Sequence, residues 1–318
     1  MIRLKQLTLP SVVQSPMANC SDLPFRLIAR AHGMAFAFLE MISSEALVRN
    51  VRQTYELMRT VPEDRPLGAQ LVGCDPAVMG EAAAKVEAMG YDLVDINLGC
   101  PVPKIVSHGG GSMLLREPET ARQIFTRVVK SVQRIPVTVK MRLGFSDGSG
   151  QEAVVIARIA QDCGIHAVSV HGRTREQGYS GTANYEAIRR VKEAVSIPVI
   201  GNGDVVDGPS AVRLKTISGC DGVMVARGAL GNPWIYQEIA AALEGLPPPP
   251  VPSITERTQV LRRHIELQRQ CEERPVGHLR RIICWYTKEI PGGAEFRDRI
   301  NRVQTFDEMC LLIEAFPS

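Results

Sequence analysis

Leu93-Val94-Asp95-Ile96-Asn97-Leu98-Gly99-Cys100-Pro101 is an apolar run of strand length that ends in a Gly-Cys-Pro turn, and a glycine cluster, Gly109-Gly110-Gly111-Ser112, follows it. Gly and Pro on either side of the cysteine fix the backbone and keep bulk away from the thiol. A cysteine at the exit of a buried strand, beside an open glycine-rich loop, is placed for chemistry. A lone cysteine is more often a small buried hydrophobe, so the rest of the chain has to decide between the two readings.

The same strand-then-helix pattern recurs roughly every 25–35 residues along the chain. The strands read as Val12–Met17, Ala35–Glu40, Leu67–Gly73, Leu93–Asn97, Val137–Leu143, Ala167–His171, Val199–Gly203 and Gly222–Ala226. Eight strands separated by amphipathic helices over roughly 240 residues predict an α/β fold, a (β/α)8 TIM barrel. An open doubly wound sheet is the alternative, but it normally uses fewer strands and carries a Gly-x-Gly-x-x-Gly turn after the first, which is missing here. Pro247-Pro248-Pro249-Pro250 then interrupts the pattern as a stiff, extended spacer. Beyond it the periodicity is helical, starting at a capping box, Ser253-Ile254-Thr255-Glu256. The expected organisation is a barrel over 1–246, a proline-rich linker over 247–252 and a small helical domain over 253–318.

The chain has 318 residues, 45% hydrophobic and 22% charged, with a formal net charge of +3. That charge permits a nucleic-acid partner without arguing for one. No apolar run reaches the length of a membrane span, and Met1-Ile2-Arg3-Leu4-Lys5 lacks the apolar core of a signal peptide. The eight cysteines are scattered, with no Cys-x-x-Cys pair and no Cys/His cluster at zinc spacing. A reduced, cytoplasmic, monomeric protein with neither membrane nor metal partner is the expectation. Between Arg274 and Arg302, seven Lys/Arg stand against Glu289, Glu295 and Asp298, with Trp285 and Tyr286 among them. An RNA-facing surface and a solvated helix face with i,i+4 ion pairs both fit that segment.

Barrel enzymes place their chemistry at the C-terminal ends of the strands. The polar residues expected there are Ser15-Pro16-Met17-Ala18, Gln70, Cys100, Lys140, His171-Gly172-Arg173-Thr174, Asn202-Gly203-Asp204 and Ala226-Arg227-Gly228. Gln70 and His171 each have an ordinary structural role open to them, but Lys140 is harder to dismiss, because lysine is almost never buried without a partner. The last two exits suit a phosphate: Gly203 and Gly228 admit close backbone approach, Arg227 offers a cation, and Gly231-Asn232-Pro233-Trp234 opens a helix.

Taken in order, Ser15-Pro16-Met17-Ala18, Glu40-Met41-Ile42, Gln70-Leu71, Asp95 to Pro101, Val139-Lys140-Met141-Arg142, Val170 to Thr174, Asn202-Gly203-Asp204 and Ala226-Arg227-Gly228 resemble the tRNA-dihydrouridine synthases. His278-Leu279-Arg280-Arg281 and Trp285-Tyr286 extend the resemblance into the helical tail. It implies an FMN-binding barrel with a C-terminal tRNA-binding domain, which reduces the C5–C6 double bond of a D-loop uridine with NADPH as electron source. It implies tightly bound FMN, with Cys100 as proton donor to C5 and Cys20 and Cys74 as rival thiols. Lys140 is expected at the N1/O2 edge of the flavin, Gln70 at its pyrimidine edge, and Pro16, Met17 and Ala18 along its face. Asn202, Gly203, Asp204, Ala226 and Arg227 are expected on the ribityl chain and phosphate, and His171 between the flavin and the substrate or phosphate. Arg280, Arg281, Arg297 and Arg299 are the expected tRNA contacts. Cys163 and Cys220 precede strands and read as packing residues.

Overall fold

The strand at the centre of this reading, Leu93–Leu98, is buried at every position, as a parallel strand covered on both faces must be. The computed structural model describes residues 1–271, 276–288 and 290–316. Arg274 and Glu289 of the basic segment therefore lie outside the described residues.

An antiparallel hairpin, β1 (Ile2–Leu4) and β2 (Leu7–Leu9), comes first. The barrel strands are β3 (Val12–Gln14), β4 (Ala37–Phe38), β5 (Ile42–Ser43), β6 (Leu67–Val72), β7 (Leu93–Leu98), β8 (Val137–Arg142), β9 (Ala167–His171), β10 (Val199–Asn202) and β11 (Gly222–Val225). All run parallel in the order β3-β11-β10-β9-β8-β7-β6-β4, with β5 continuing β4 alongside β6. Gln14 bridges the seam between the two end strands: its N–H donates to the Phe36 carbonyl (3.1 Å), and its side-chain oxygen accepts from Phe38 N–H (3.0 Å). The result is a nearly closed eight-position α/β barrel.

The connecting helices are α1 (Leu23–Ala31), α2 (Ser44–Val48), α3 (Arg52–Leu57), α4 (Pro76–Ala88), α5 (Pro103–Ser107), α6 (Pro118–Ser131), α7 (Gln151–Asp162), α8 (Tyr185–Ala194), α9 (Gly208–Ser218) and α10 (Ile235–Leu243). Their apolar stripes pack on the outer face of the strands in one continuous core. Inside the barrel, the hairpin's Ile2, Leu4 and Leu9 meet Val13, Phe36, Phe38 and Leu93 and close the end opposite the strand exits. Nothing in the sequence reading anticipated that plug.

Two strand boundaries differ from expectation for backbone reasons. The first strand stops at Gln14 because, after Ser15 N–H bonds the Val225 carbonyl, Pro16 has no N–H to continue the ladder. The second, expected over Ala35–Glu40, is split into β4 and β5, and between them the Glu40 carboxylate accepts from Asn19 N–H (2.6 Å).

After α10 the chain carries no helix or strand until α11 (Ile254–Cys271), whose start is the expected reciprocal cap: Ser253 N–H donates to Glu256, and Glu256 N–H to the Ser253 hydroxyl. With α12 (Val276–Tyr286), α13 (Gly293–Arg302) and α14 (Phe306–Glu314) it encloses a second apolar core around Leu261, Ile283, Phe296 and Ile300. These C-terminal helices meet the barrel beside β3 and β11. Asp22 caps α1 through Phe25 N–H, and its other oxygen accepts from Gln268 Nε2 (2.7 Å) and pairs with His278 Nε2 (3.0 Å). Next to β11, any side chain on Gly231 would strike the Trp285 carbonyl.

Candidate active site

Cys100 is half-buried at the exit of β7, and the barrel holds its backbone on both sides. Its N–H and that of Gly99 donate to Asn97 Oδ1 (2.9 and 3.0 Å), and its carbonyl accepts from Ser112 N–H (3.1 Å). Gly111, at φ +58, is required there because a Cβ would lie 2.7 Å from the Cys100 carbonyl oxygen. The amide of Asn97 is oriented in turn. Asn97 Nδ2 donates to Gln70 Oε1 (2.7 Å), Gln70 Nε2 to Asp95 Oδ2 (2.6 Å), and Thr138 Oγ1 to Asp95 Oδ1 (2.6 Å). Asp95 is fully buried, and burial pushes its carboxyl up to about 6 against the opposing effect of Thr138, Gln70 and Lys140. Gln70, expected on the cofactor, is thus committed at both polar ends, with one amide hydrogen left over.

Strand register brings the cations to the same mouth. Asn97 pairs with Lys140 and Lys140 with Ser169, while one step higher Arg142 pairs with His171 and His171 with Asn202. Lys140 makes no hydrogen bond among the described residues; burial and the Arg142 cation lower it to about 8, with Asp95 acting the other way. His171 is buried, and that burial, together with Lys140, Arg142, Arg173 and Arg227, drives its pKa to about 2. It is a neutral imidazole at any physiological pH. Arg142 donates to the carbonyls of Gly99 (2.9 Å), Thr174 (2.8 Å) and Gly178 (2.9 Å), tying the Cys100 turn to the loop after β9. The Cys100 thiol is raised above its ordinary pKa by burial, opposed by the Val102 N–H and the Arg142 charge.

At β10 and β11, Asn202 donates to the Met224 carbonyl (2.8 Å), so its amide closes the barrel rim. Asp204 adopts φ +51 and binds Arg173 (2.8 Å) and Ala183 N–H (2.8 Å). Burial raises Asp204, but Arg173 and the Ala183 amide outweigh that and hold it below the usual carboxylate range. Its carboxylate is therefore a brace for Arg173. Gly203, at φ +132, leaves room that a Cβ would fill to within 2.7 Å of Ala183 Cβ; at Gly228 a Cβ would strike the Val205 carbonyl. Arg227 is half-exposed, 3.9 Å from Asp204 and 4.4 Å over the ring of Tyr179, which also neighbours Arg142 at 5.8 Å and the His171 ring at 6.5 Å. Pro16, Met17 and Ala18 form an accessible turn at the exit of β3, and Ala226 lies half-buried at the exit of β11.

The C-terminal arginines divide. Arg280 donates to the Val303 carbonyl and Arg297 to the Thr287 carbonyl (2.6 Å), both within the helical unit. Arg281 reaches His278 Nδ1 (2.9 Å) and the Asn19 carbonyl (3.5 Å), while Arg299 is exposed. Tyr286 is buried against His264, while Trp285 is half-buried against the helical core, so of the two rings only that of Trp285 is partly exposed. Burial raises Cys20 to about 11 and also raises Cys74. None of the eight cysteines is in a disulfide, and among the described residues no three His, Cys, Asp or Glu side chains gather as a metal-ligand set. No helix among them is long and apolar enough to cross a membrane. Sequence reasoning assigned no role to Thr138, Arg142 or Tyr179. Asp95 could have been found, as an acid inside an otherwise apolar strand.

Fold and strand exits together define a parallel-barrel enzyme whose chemistry lies at the C-terminal mouth. Histamine dehydrogenase from Rhizobium sp. 4-9 shares the barrel, with a TM-score of 0.58 at 14% identity over 84% of this chain and 50% of that one, a likeness of fold alone. Residues 13–317 match the family described as Dihydrouridine synthase (Dus). The chain is 41% identical over 306 residues to a probable tRNA-dihydrouridine synthase of Rickettsia prowazekii, covering 95% of this chain and 93% of that one. It is 37% identical over 321 residues to tRNA-dihydrouridine synthase B of Pseudomonas aeruginosa, covering 99% and 95%. The chain belongs to the dihydrouridine synthase family.

Proposed function

We propose that this chain is a cytoplasmic tRNA-dihydrouridine synthase that reduces the C5–C6 double bond of a D-loop uridine, using tightly bound FMN reduced by NADPH. The observation that carries the reading is a protonated thiol, Cys100, sharing one mouth with Lys140, Arg142, Arg173 and Arg227, which outnumber the carboxylates Asp95 and Asp204 beside them. Asp204 is shared between Arg173 (2.8 Å) and Arg227 (3.9 Å), and Asp95 lies buried beneath Gln70 near Lys140, so the two acids offset only part of that charge.

The residues fit a flavin mononucleotide. Its phosphate is an anion, suited to the half-exposed Arg227 at the exit of β11. Lys140 supplies a cation whose side chain makes no hydrogen bond among the described residues, and neutral His171 offers one donor and one acceptor without adding charge. Bound there, FMN supplies the hydride that uracil reduction needs and that no side chain can give.

The chain's own part is positioning and proton transfer. The target base must leave its stack to reach the mouth. Cys100 gives its proton to C5, a role that requires the thiol rather than the thiolate, and its raised pKa keeps it in that form. The thiolate left behind faces Arg142 and the Val102 N–H, the two groups that favour it, until solvent restores the proton.

The test is single-turnover oxidation of the reduced enzyme by unmodified tRNA. Cys100→Ala should keep its FMN and its reduction by NADPH, yet form dihydrouridine roughly 10²–10⁴-fold more slowly. Reoxidation at the parent rate would remove Cys100 from the chemistry.

A further inference from the structure

Phe145, in the loop after β8, lies against two guanidinium groups: Arg116 is 4.0 Å and Arg175 5.0 Å from its ring centroid. The three residues come from three different strand exits, those of β7, β8 and β9. Their meeting is built into the backbone. Arg175 N–H donates to the Gly144 carbonyl (2.9 Å) and Glu176 N–H to the Phe145 carbonyl (3.0 Å), so two short bonds zip the loops together. The Glu152 carboxylate accepts from Phe145 N–H and fixes the ring's base, and Arg116 donates to the Ser146 hydroxyl (3.2 Å). Neither guanidinium has an ion-pair partner among the described residues. Of the nearby acids, Glu152 is engaged with Phe145, Asp147 with Ser149 and Glu119 with Arg122, while Glu117 and Glu176, next in sequence to the two arginines, are exposed and form no ion pair with them.

The place of this stack matters as much as its composition. The C-terminal helices meet the barrel at α1 and at the exit of β11, beside β3. In the order β3-β11-β10-β9-β8-β7-β6-β4, the strands β7 and β8 stand halfway round the barrel from there. The stack therefore rises on the far side of the mouth from the helices, on the loops that follow the strands of Cys100, Lys140 and His171.

We propose that the Arg116–Phe145–Arg175 stack is a second RNA-holding surface, gripping the strand next to the flipped uridine on the side away from the C-terminal helices. This rests on the tRNA substrate proposed above. Flat guanidinium and aromatic faces accept an unstacked base, while the remaining N–H groups hold the phosphates on either side of it, which is the chemistry of single-stranded or loop RNA. A protein partner is the less suited occupant, because the cations here lack the large apolar patch that protein interfaces centre on. Contact at two opposite points also gives the substrate a defined direction across the mouth, which one basic face cannot do.

The experiment uses the FMN-loaded full chain and an unmodified tRNA transcript, with affinity measured across a salt series. Replacing both cations (Arg116→Ala with Arg175→Ala) should weaken binding about tenfold or more, and should lower the slope of log K against log salt by roughly 1.5, the share of two phosphate contacts. Phe145→Leu keeps both charges and should lose roughly fivefold or more in affinity with the slope unchanged, and Phe145→Trp should restore it. Flavin absorbance reports that each variant is folded. If the parent binds and modifies the transcript while the double variant keeps its affinity and slope, the proposal is overturned. A parent protein that neither binds nor modifies tRNA would instead overturn the function proposed above.

Discussion

Replacing Asp95 by asparagine tests the hydrogen-bond chain that orients the Cys100 turn. A carboxylate can only accept, so Gln70 must present its NH₂ to it, which leaves Gln70 Oε1 for Asn97 Nδ2 and Asn97 Oδ1 for the amides of Gly99 and Cys100. One charge thus sets the direction of three successive bonds. In Asp95→Asn the new amide carries its own NH₂ into this chain: turned toward Thr138 it takes away the acceptor that the hydroxyl proton used, and turned toward Gln70 it leaves a donor facing a donor, there or at the Cys100 turn.

Two magnitudes follow. A carboxyl that titrates near 6 when folded, against 3.8 unfolded, costs the fold about 3 kcal/mol once the pH is above 6. The sign is that of a raised folded pKa: the stability is whole below pH 3.8 and is lost as pH rises through 6. Asparagine does not titrate, so denaturant unfolding should show the variant gaining about 2.4 kcal/mol on the parent between pH 4 and pH 7.5. A mismatch of roughly 1–3 kcal/mol, constant with pH, is superimposed on that gain. Catalysis should move the other way. A turn displaced by about 1 Å costs on the order of 10² in rate, so dihydrouridine formation should fall by about that factor with FMN retained. A stability difference that does not vary with pH would show that Asp95 does not titrate in this range. Unimpaired dihydrouridine formation would show that the carboxylate does not direct the turn.

Lys140→Met should weaken FMN binding. In the parent, FMN affinity measured by fluorescence quenching should decline as pH rises through about 8, where the lysine loses its proton, and the variant should be weaker and flat over that range. Asp22→Asn should cost roughly 3 kcal/mol at pH 7 in urea unfolding, since it breaks a buried pair between the barrel and the C-terminal helices. Burial raises Asp22, but His278, His264, Gln268 and the Phe25 amide together hold it at about 2, so its contribution is present above pH 4 and lost as pH falls toward 2. The variant should lack that acid limb, and a parent-like limb would refute the assignment.

The barrel was legible because each parallel strand is buried on both faces, and an apolar run of strand length between helical stretches says so without any tertiary information. The same reasoning misses the hairpin plug, since Ile2, Leu4 and Leu9 are only three apolar residues until the barrel floor is there to receive them. At the site, Cys100, Lys140 and the glycines at positions 203 and 228 could be read from their places at strand exits. Gln70 and Asp204 could be placed there too, but their protein partners could not: each is engaged with another side chain, Asp95 and Arg173, that only the register of the sheet brings within reach.

Charge in the C-terminal segment illustrates the remaining gap. A count of cations cannot say whether a guanidinium faces solvent or ends on a carbonyl, and here Arg280 and Arg297 do the latter. The pairing that binds the two parts of the molecule, Asp22 with Gln268 and His278, joins residues that the chain separates by most of its length. No local pattern marks them. Yet Asp22 ends the very turn that begins at Pro16, so the helices that carry Arg281 and Arg299 are anchored to one wall of the mouth, and the Phe145 stack stands on the opposite wall. An RNA held by both is aligned by the barrel itself, and the charge that matters for alignment is the part the fold leaves unpaired.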